Sequence, residues 1–234
     1  MKGFVFVCCL MAAGAVAAKC PDADETRLKS GMKAAETGYI GCALNDNDDD
    51  AQVVLAEAYG QGRDGIAKDM HRALLFYHLS AESGNAQSQV KLAEALMKLD
   101  ATPVGRQVIL DYIQKMRNHF TSQTEFKGQL LHPYSLLLLA AEKPDNKWYY
   151  PSVVTTEPRA KVVLAGYKIT EDKKKTALAD AASWKNRKLL EAAQEVLLPA
   201  EYQAFKRIMQ SSNVQARANA MSQFKEKVAA YRNQ

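Results

Sequence analysis

Ser30-Gly31-Met32-Lys33 fits S-x-x-K, the pattern that carries the serine nucleophile of penicillin-recognising enzymes. Its usual companions, S-D-N and K-T-G, do not occur in the chain, and a four-residue match of this kind arises readily by chance. The four histidines are His71, His78, His119 and His132. His71 and His78 lie seven apart, on one side of an expected helix, but no H-E-x-x-H or Cys/His zinc spacing accompanies them. They read as surface histidines, and no metal is expected. Gly60, Gly62 and Gly65 follow a helical pattern rather than a strand, so they read as a turn and not as a phosphate-binding loop. Trp148-Tyr149-Tyr150 is the densest aromatic cluster. It has two readings: a plug in a groove of the fold, since such rings fill cores well, or an exposed patch for a partner or glycan, since Trp and Tyr are enriched at binding hot spots. No nucleophile-and-base pair or cofactor motif rises above chance, so the chain reads as a non-enzyme without a cofactor.

The elements that must position these residues come from an internal repeat, the first thing to look for in a chain of this kind. Ala51 to Tyr59 reads AQVVLAEAY and Ser88 to Leu96 reads SQVKLAEAL, with Gln52, Val53, Leu55, Ala56, Glu57 and Ala58 recurring at Gln89, Val90, Leu92, Ala93, Glu94 and Ala95. Ala51, Val54, Leu55, Ala58 and Tyr59 fall at i, i+3, i+4, i+7 and i+8, one apolar helix face. Asp48, Asp49 and Asp50 precede it, where carboxylates cap and complement the positive helix end. Gly60-Gln61-Gly62 is the expected stop. A second helix is expected from about Asp69 to Ser83, burying Met70, Ala73, Leu74, Tyr77 and Ala81 and stopped by Gly84. Thr102-Pro103 starts another, carrying Val108, Ile109, Tyr112 and Met116. Lys33 to Gly38 looks like the end of an earlier helix of the same kind.

The stretch from Ala51 to Leu92 resembles a Sel-one-like repeat, a relative of the tetratricopeptide repeat. The residues that carry the resemblance are Ala51, Leu55, Ala56, Tyr59, Gly62, Gly65, Ile66, Asp69, Arg72, Ala73, Phe76, Tyr77, Ser80, Ala81, Gly84, Asn85 and Ala86. One extra residue between Gly62 and Gly65 lengthens the turn. The second copy departs further, with Leu96 in the tyrosine position and Leu99 to Pro103 replacing the glycine-rich turn. The resemblance implies an all-α fold, an α-solenoid of antiparallel helix pairs, and an adaptor that binds an unidentified protein partner. Because Gln52, Glu57, Gln89 and Glu94 recur at matching places, they are the best repeated candidates for a partner face; ordinary solvated helix positions are the other reading. Some proteins of this kind are linked to β-lactam binding, which keeps a cell-envelope enzyme acting on β-lactams or peptidoglycan as the alternative, beside a structural or chaperone-like envelope protein.

Lys2, the mostly apolar run from Gly3 to Ala18 and the small residues Ala15 to Ala18 form a secretory signal pattern, so 1–18 is read as a cleavable leader and the protein as periplasmic or secreted, in a bacterial envelope. Lys19 before Cys20 argues against a lipid anchor, and no later segment is apolar enough to span a bilayer. Cys8 and Cys9 leave with the leader. Cys20 and Cys42 remain and are expected to pair in an oxidising compartment. The net charge of +5 combines 31 basic with 26 acidic residues, with no basic stripe interleaved with aromatics, so no nucleic acid is expected.

The organisation expected is therefore a leader (1–18), a helical repeat region (19–145), an aromatic and proline-bearing loop (146–158) and a helical C-terminal cap (159–234). Ser122 to Glu125 is a capping-box pattern opening a segment toward the apolar run Leu136 to Ala141. The cap is expected as helices from Pro158 to Tyr167, Lys174 to Val196, Pro199 to Met209 and Val214 to Tyr231, with Tyr202, Phe205, Ile208 and Met209 on one face. Ala160 to Ala165 (AKVVLA) echoes Ala51 to Ala56 and reads either as a degenerate later repeat or as an unrelated helix.

Overall fold

Local capping decides where the helices begin and end. Asp48 is extended (φ −69°, ψ 113°), and its side chain accepts the Ala51 N–H at 2.8 Å. Asp69 does the same job one helix later, its Oδ1 accepting the N–H groups of His71 (3.0 Å) and Arg72 (3.1 Å). Asn85 Oδ1 accepts the Ser88 N–H at 3.0 Å. Each satisfies first-turn donors that have no partner inside the helix. Gly62 ends the helix before it in the left-handed region (φ 67°), where an added Cβ would come within 2.8 Å of Lys68 Cβ. That close approach explains a glycine here, beyond its conformational freedom.

The computed structural model describes residues 32–45, 47–98, 111–115, 130–142 and 156–232, in which the regular elements are helices and no strand occurs. The chain is all-α over these residues. None of their helices is long and apolar enough to cross a membrane. Two compact units divide the chain, Met1–Ser83 with Gln107–Lys127, and Gly84–Arg106 with Gly128–Gln234. The line after Ser83 falls between AQVVLAEAY and SQVKLAEAL.

The first unit holds α1 (Met32–Asn45), α2 (Asp49–Gln61) and α3 (Met70–Ser83), with a helical stretch at 111–115. Asp69 N–H donates to Tyr59 O at the α2–α3 turn, while the Ser80 hydroxyl donates to Asp49 at the opposite ends, so the pair is antiparallel. Helix α1 packs on α2. The expected face of α2 is buried, but so is every residue from Ala51 to Tyr59, and α3 is buried from Ala73 to Ala81. Both helices are wrapped rather than one-sided. Three expectations are corrected here. Met70 lies at the start of α3 and is 42% exposed, outside the core. Gly38 does not stop α1, because Tyr39, Ala43 and Leu44 continue its buried face for two further turns. His78 is buried on α3 rather than at the surface.

The second unit holds α4 (Ala86–Lys98), α5 (Pro133–Ala141), α6 (Thr156–Gly166), α7 (Glu171–Val196), α8 (Pro199–Gln210) and α9 (Val214–Arg232). Helix α5, PYSLLLLAA, carries no charge and packs against α4, α6 and α7 at once. A helix apolar on all sides suits that central place. It begins at Pro133, with His132 Nδ1 accepting the Tyr134 N–H at 3.2 Å, so the apolar run has its own start; Ser122 to Glu125 lie outside the described residues. The Ser135 hydroxyl, wholly buried, donates to Ala177 O at 2.9 Å and ties α5 to α7. Beyond it, Phe205 of α8 and Phe224 of α9 meet with ring centroids 5.1 Å apart, over Ala193 of α7 and Ala220 of α9. Tyr202, Ile208 and Met209 pack against this cluster, as their spacing indicates. The helices of this cap match the expected ones within a few residues.

Candidate functional site

A polar network at one end of the α1–α2–α3 unit gathers the most chemically distinctive side chains. Tyr59, at the end of α2, donates its hydroxyl to Glu36 Oε1 of α1. Arg72 of α3 donates from Nη1 to the Tyr59 hydroxyl at 3.1 Å and stands 3.7 Å from Glu36 Oε1. Its Nε lies 3.4 Å from Asp69 Oδ2. Its guanidinium carbon sits 5.3 Å from the Tyr59 ring centroid. Lys33 Nζ reaches Glu36 Oε2 at 2.6 Å. Tyr59 is stacked on Phe76, centroids 6.0 Å apart and planes 4° from parallel. His71 lies over Tyr112 of the 111–115 stretch, centroids 4.7 Å apart.

The titration of these groups follows from that arrangement. Burial pushes the Tyr59 phenol up to about 12, and the Glu36 carboxylate accepting its proton pushes the same way, against Arg72. Burial tends to raise Glu36, but the hydrogen bonds from Lys33 and Tyr59 and the charges of Lys33 and Arg72 outweigh it and hold the carboxyl below its ordinary value. Burial disfavours the Arg72 cation, yet Tyr59, Asp69 and Glu36 together raise it. Tyr112 is raised by burial and by the Asp69 charge. A phenol held neutral, a carboxylate held ionised and a guanidinium between them form a clamp: each charge is answered inside the set, and no member is poised to exchange a proton near neutral pH.

This network predicts a stability plateau. Tyr59 is raised above its unfolded value of 10.0, so its contribution is present below pH 10 and lost as pH rises through about 12. Glu36 is lowered below 4.5, so its contribution is present above that pH and lost as pH falls through its folded value. Urea denaturation across pH should show both limbs. Tyr59→Phe should abolish its part of the alkaline limb and weaken the acid limb, and Glu36→Gln should do the reverse, because each group shifts the other. Unchanged limbs in both variants would mean that the network does not couple to folding.

The sequence-derived candidates fall elsewhere. Gln52 and Gln89 are wholly buried and Glu57 is 2% exposed, which corrects their placement on a solvent-facing groove. The Gln52 amide donates to Ala43 O at 2.9 Å and to Asn47 Oδ1 at 3.1 Å, fastening the α1–α2 turn. Glu57 accepts from Gln61 and stands 3.9 Å from Arg63 Nη2. Glu94 is partly exposed and paired with Arg159 of α6, 2.6 Å from its Nη2. Trp148, Tyr149, Tyr150, Ser30, His119, Cys20 and the leader 1–18 lie outside the described residues. Lys33 of the S-x-x-K pattern is engaged by Glu36. Cys42 of α1 is half-buried, with its sulfur in a disulfide, and its expected partner Cys20 lies outside the described residues. Among the described residues, no group of three or more His, Cys, Asp and Glu side chains could hold a metal ion.

The sequence pattern puts Glu36 in a repeat-like helix end and Tyr112 on an expected helix face, but nothing in it joins either to Tyr59, Asp69 or Arg72, which tertiary folding brings near them. Comparison with known proteins finds no matching family model, curated protein or solved structure.

Proposed function

We propose that the chain is an exported helical-repeat adaptor of the Sel-one-like kind, an α-solenoid that works by holding a protein partner. One observation carries the reading: several residues of the repeat pattern have scaffold tasks. Asp69 and Asn85 cap helices, Gly62 turns the chain, Tyr59 and Phe76 stack, and Arg72 locks Tyr59 to Glu36. A repeat spent on its own architecture leaves function to outward surfaces.

The outward surface with the strongest character is the C-terminal one. Residues 159–234 carry 15 Lys and Arg against 7 Asp and Glu, whereas 1–158 carry 16 against 19. Glu191 is paired with Arg187 and Lys188, and Glu201 with Lys227, while Lys168, Lys173, Lys175, Arg207 and Lys225 are exposed and carry the excess at the surface. An acidic protein face is the complementary partner. Crosslinking in the native envelope followed by mass spectrometry tests this. Lys175 and Lys225 are exposed. K175E/K225E should fold normally by circular dichroism yet lose the partner that the wild type captures, and wild-type capture should weaken with salt. Equal capture by the variant would overturn the basic face. Turnover of a β-lactam or cell-wall substrate with no partner recovered would overturn the adaptor itself.

A further inference from the structure

Within the second unit, the connection from α6 to α7, the end of α4 and the start of α5 line an open cleft of about 440 Å³. Ligand sites run from roughly 300 to 1,000 Å³. Met97, 37% exposed, and the half-buried Ile169 supply accessible apolar wall, over the buried Leu96 and Pro133. Tyr167 stands beside them, its ring met edge-on by His132 at 6.0 Å and flanked by Tyr134 at 5.9 Å, so its orientation is fixed. The charged lining is Lys168 and Lys173, both exposed, and no carboxylate lines the cleft. Glu171 and Asp172 are close in sequence but outside the lining, and Glu171 stands 3.7 Å from Lys174.

The chemistry of this lining is one-sided. Two ammonium groups face a space without an opposing carboxylate, so the local potential favours an anion. His132 uses Nδ1 to accept the Tyr134 N–H, which places the proton of its neutral ring on Nε2 and makes that atom a donor. The apolar wall favours a ligand with a compact ring or chain rather than a bare inorganic ion. We infer that this cleft binds a small amphiphilic anion, its charged group at Lys168 and Lys173 and its apolar body against Met97, Ile169 and Tyr167. Lys168 and Lys173 belong to the same cation excess, but Lys175 and Lys225 do not line the cleft, so its binding is tested apart from partner capture.

The test is an NMR titration of the full chain with phenyl phosphate, with inorganic phosphate and phenol as parallel arms. Phenyl phosphate should saturate, move the ring signals of Tyr167 and His132 and the amides from Lys168 to Thr170, and bind at least about tenfold tighter than either fragment. K168Q/K173Q should weaken it by about tenfold or more, as expected for losing two charge-assisted contacts, while K168R/K173R should retain most of it. Phosphate binding as tightly as phenyl phosphate would reduce the site to surface lysines and overturn the inference. So would phenol binding equally well, shifts that leave Tyr167 and His132 unmoved, or a neutralised variant that binds like the wild type.

Discussion

Glu57→Lys is expected to destabilise the α1–α2–α3 unit by about 3–5 kcal/mol, the cost of breaking a buried charged pair. Glu94→Lys, at the equivalent position of the second copy, should cost about 0–1 kcal/mol, as for an exposed ion pair. The two residues occupy matching places in AQVVLAEAY and SQVKLAEAL, yet their surroundings differ. Glu57 is 2% exposed, accepts from Gln61 and faces Arg63, so a lysine there would bury a second cation beside the first. Glu94 pairs with Arg159, whose side chain is 49% exposed, and a lysine can turn to water. Glu57→Gln separates charge from shape: it keeps the size and a hydrogen bond to Gln61 and should cost far less than the reversal. Urea denaturation of the three variants checks the order. A Glu57→Lys protein as stable as the Glu94→Lys protein would place Glu57 at the surface after all.

This contrast marks where the sequence was legible. Helix limits were, because capping acts through the nearest few residues: Asp48, Asp69, Gly62 and Gly84 announce themselves by type. The apolar face of α2 was also legible from its spacing. Which further residues become buried was not, since that depends on what packs around the helix. Gln52 and Glu57 lie on the polar side of α2 by pattern, but α1 covers Gln52 and the lengthened turn brings Arg63 to Glu57. The same limit applies to the network at Tyr59. Tyr59 and Arg72 stand out as repeat residues, whereas Glu36 is 23 residues upstream of Tyr59 and nothing in its neighbours points to a tyrosine partner. Lys168 in the α6–α7 connection and Lys173 in the first turn of α7 line the cleft while Glu171 and Asp172 do not, a sorting that composition does not reveal.

Phe76→Ala should be among the most costly single truncations in the first unit, at about 3–5 kcal/mol. Phe76 is wholly buried on α3, so the variant leaves a cavity as well as losing transfer energy. It also removes the ring stacked on Tyr59, an interaction worth about 0.5–1.5 kcal/mol beyond burial. The consequence reaches the polar network, because the Tyr59 ring is what presents its hydroxyl to Glu36 and Arg72. Phe76→Leu keeps most of the volume and loses the stack, so it should lie between the wild type and Phe76→Ala. Leu55, wholly buried on α2, provides a second core position whose alanine variant should cost about 2–5 kcal/mol without removing the ring beneath Tyr59. Tyrosinate absorbance, read as a difference against Tyr59→Phe in each background, distinguishes the two losses. In Phe76→Ala the Tyr59 titration should move down from about 12 toward 10.0 as water reaches the phenol, whereas in Leu55→Ala it should stay near its starting place. An equal downward shift in both would make it a general loosening of the unit, and no shift in either would mean that the ring on Phe76 does not hold Tyr59 in place.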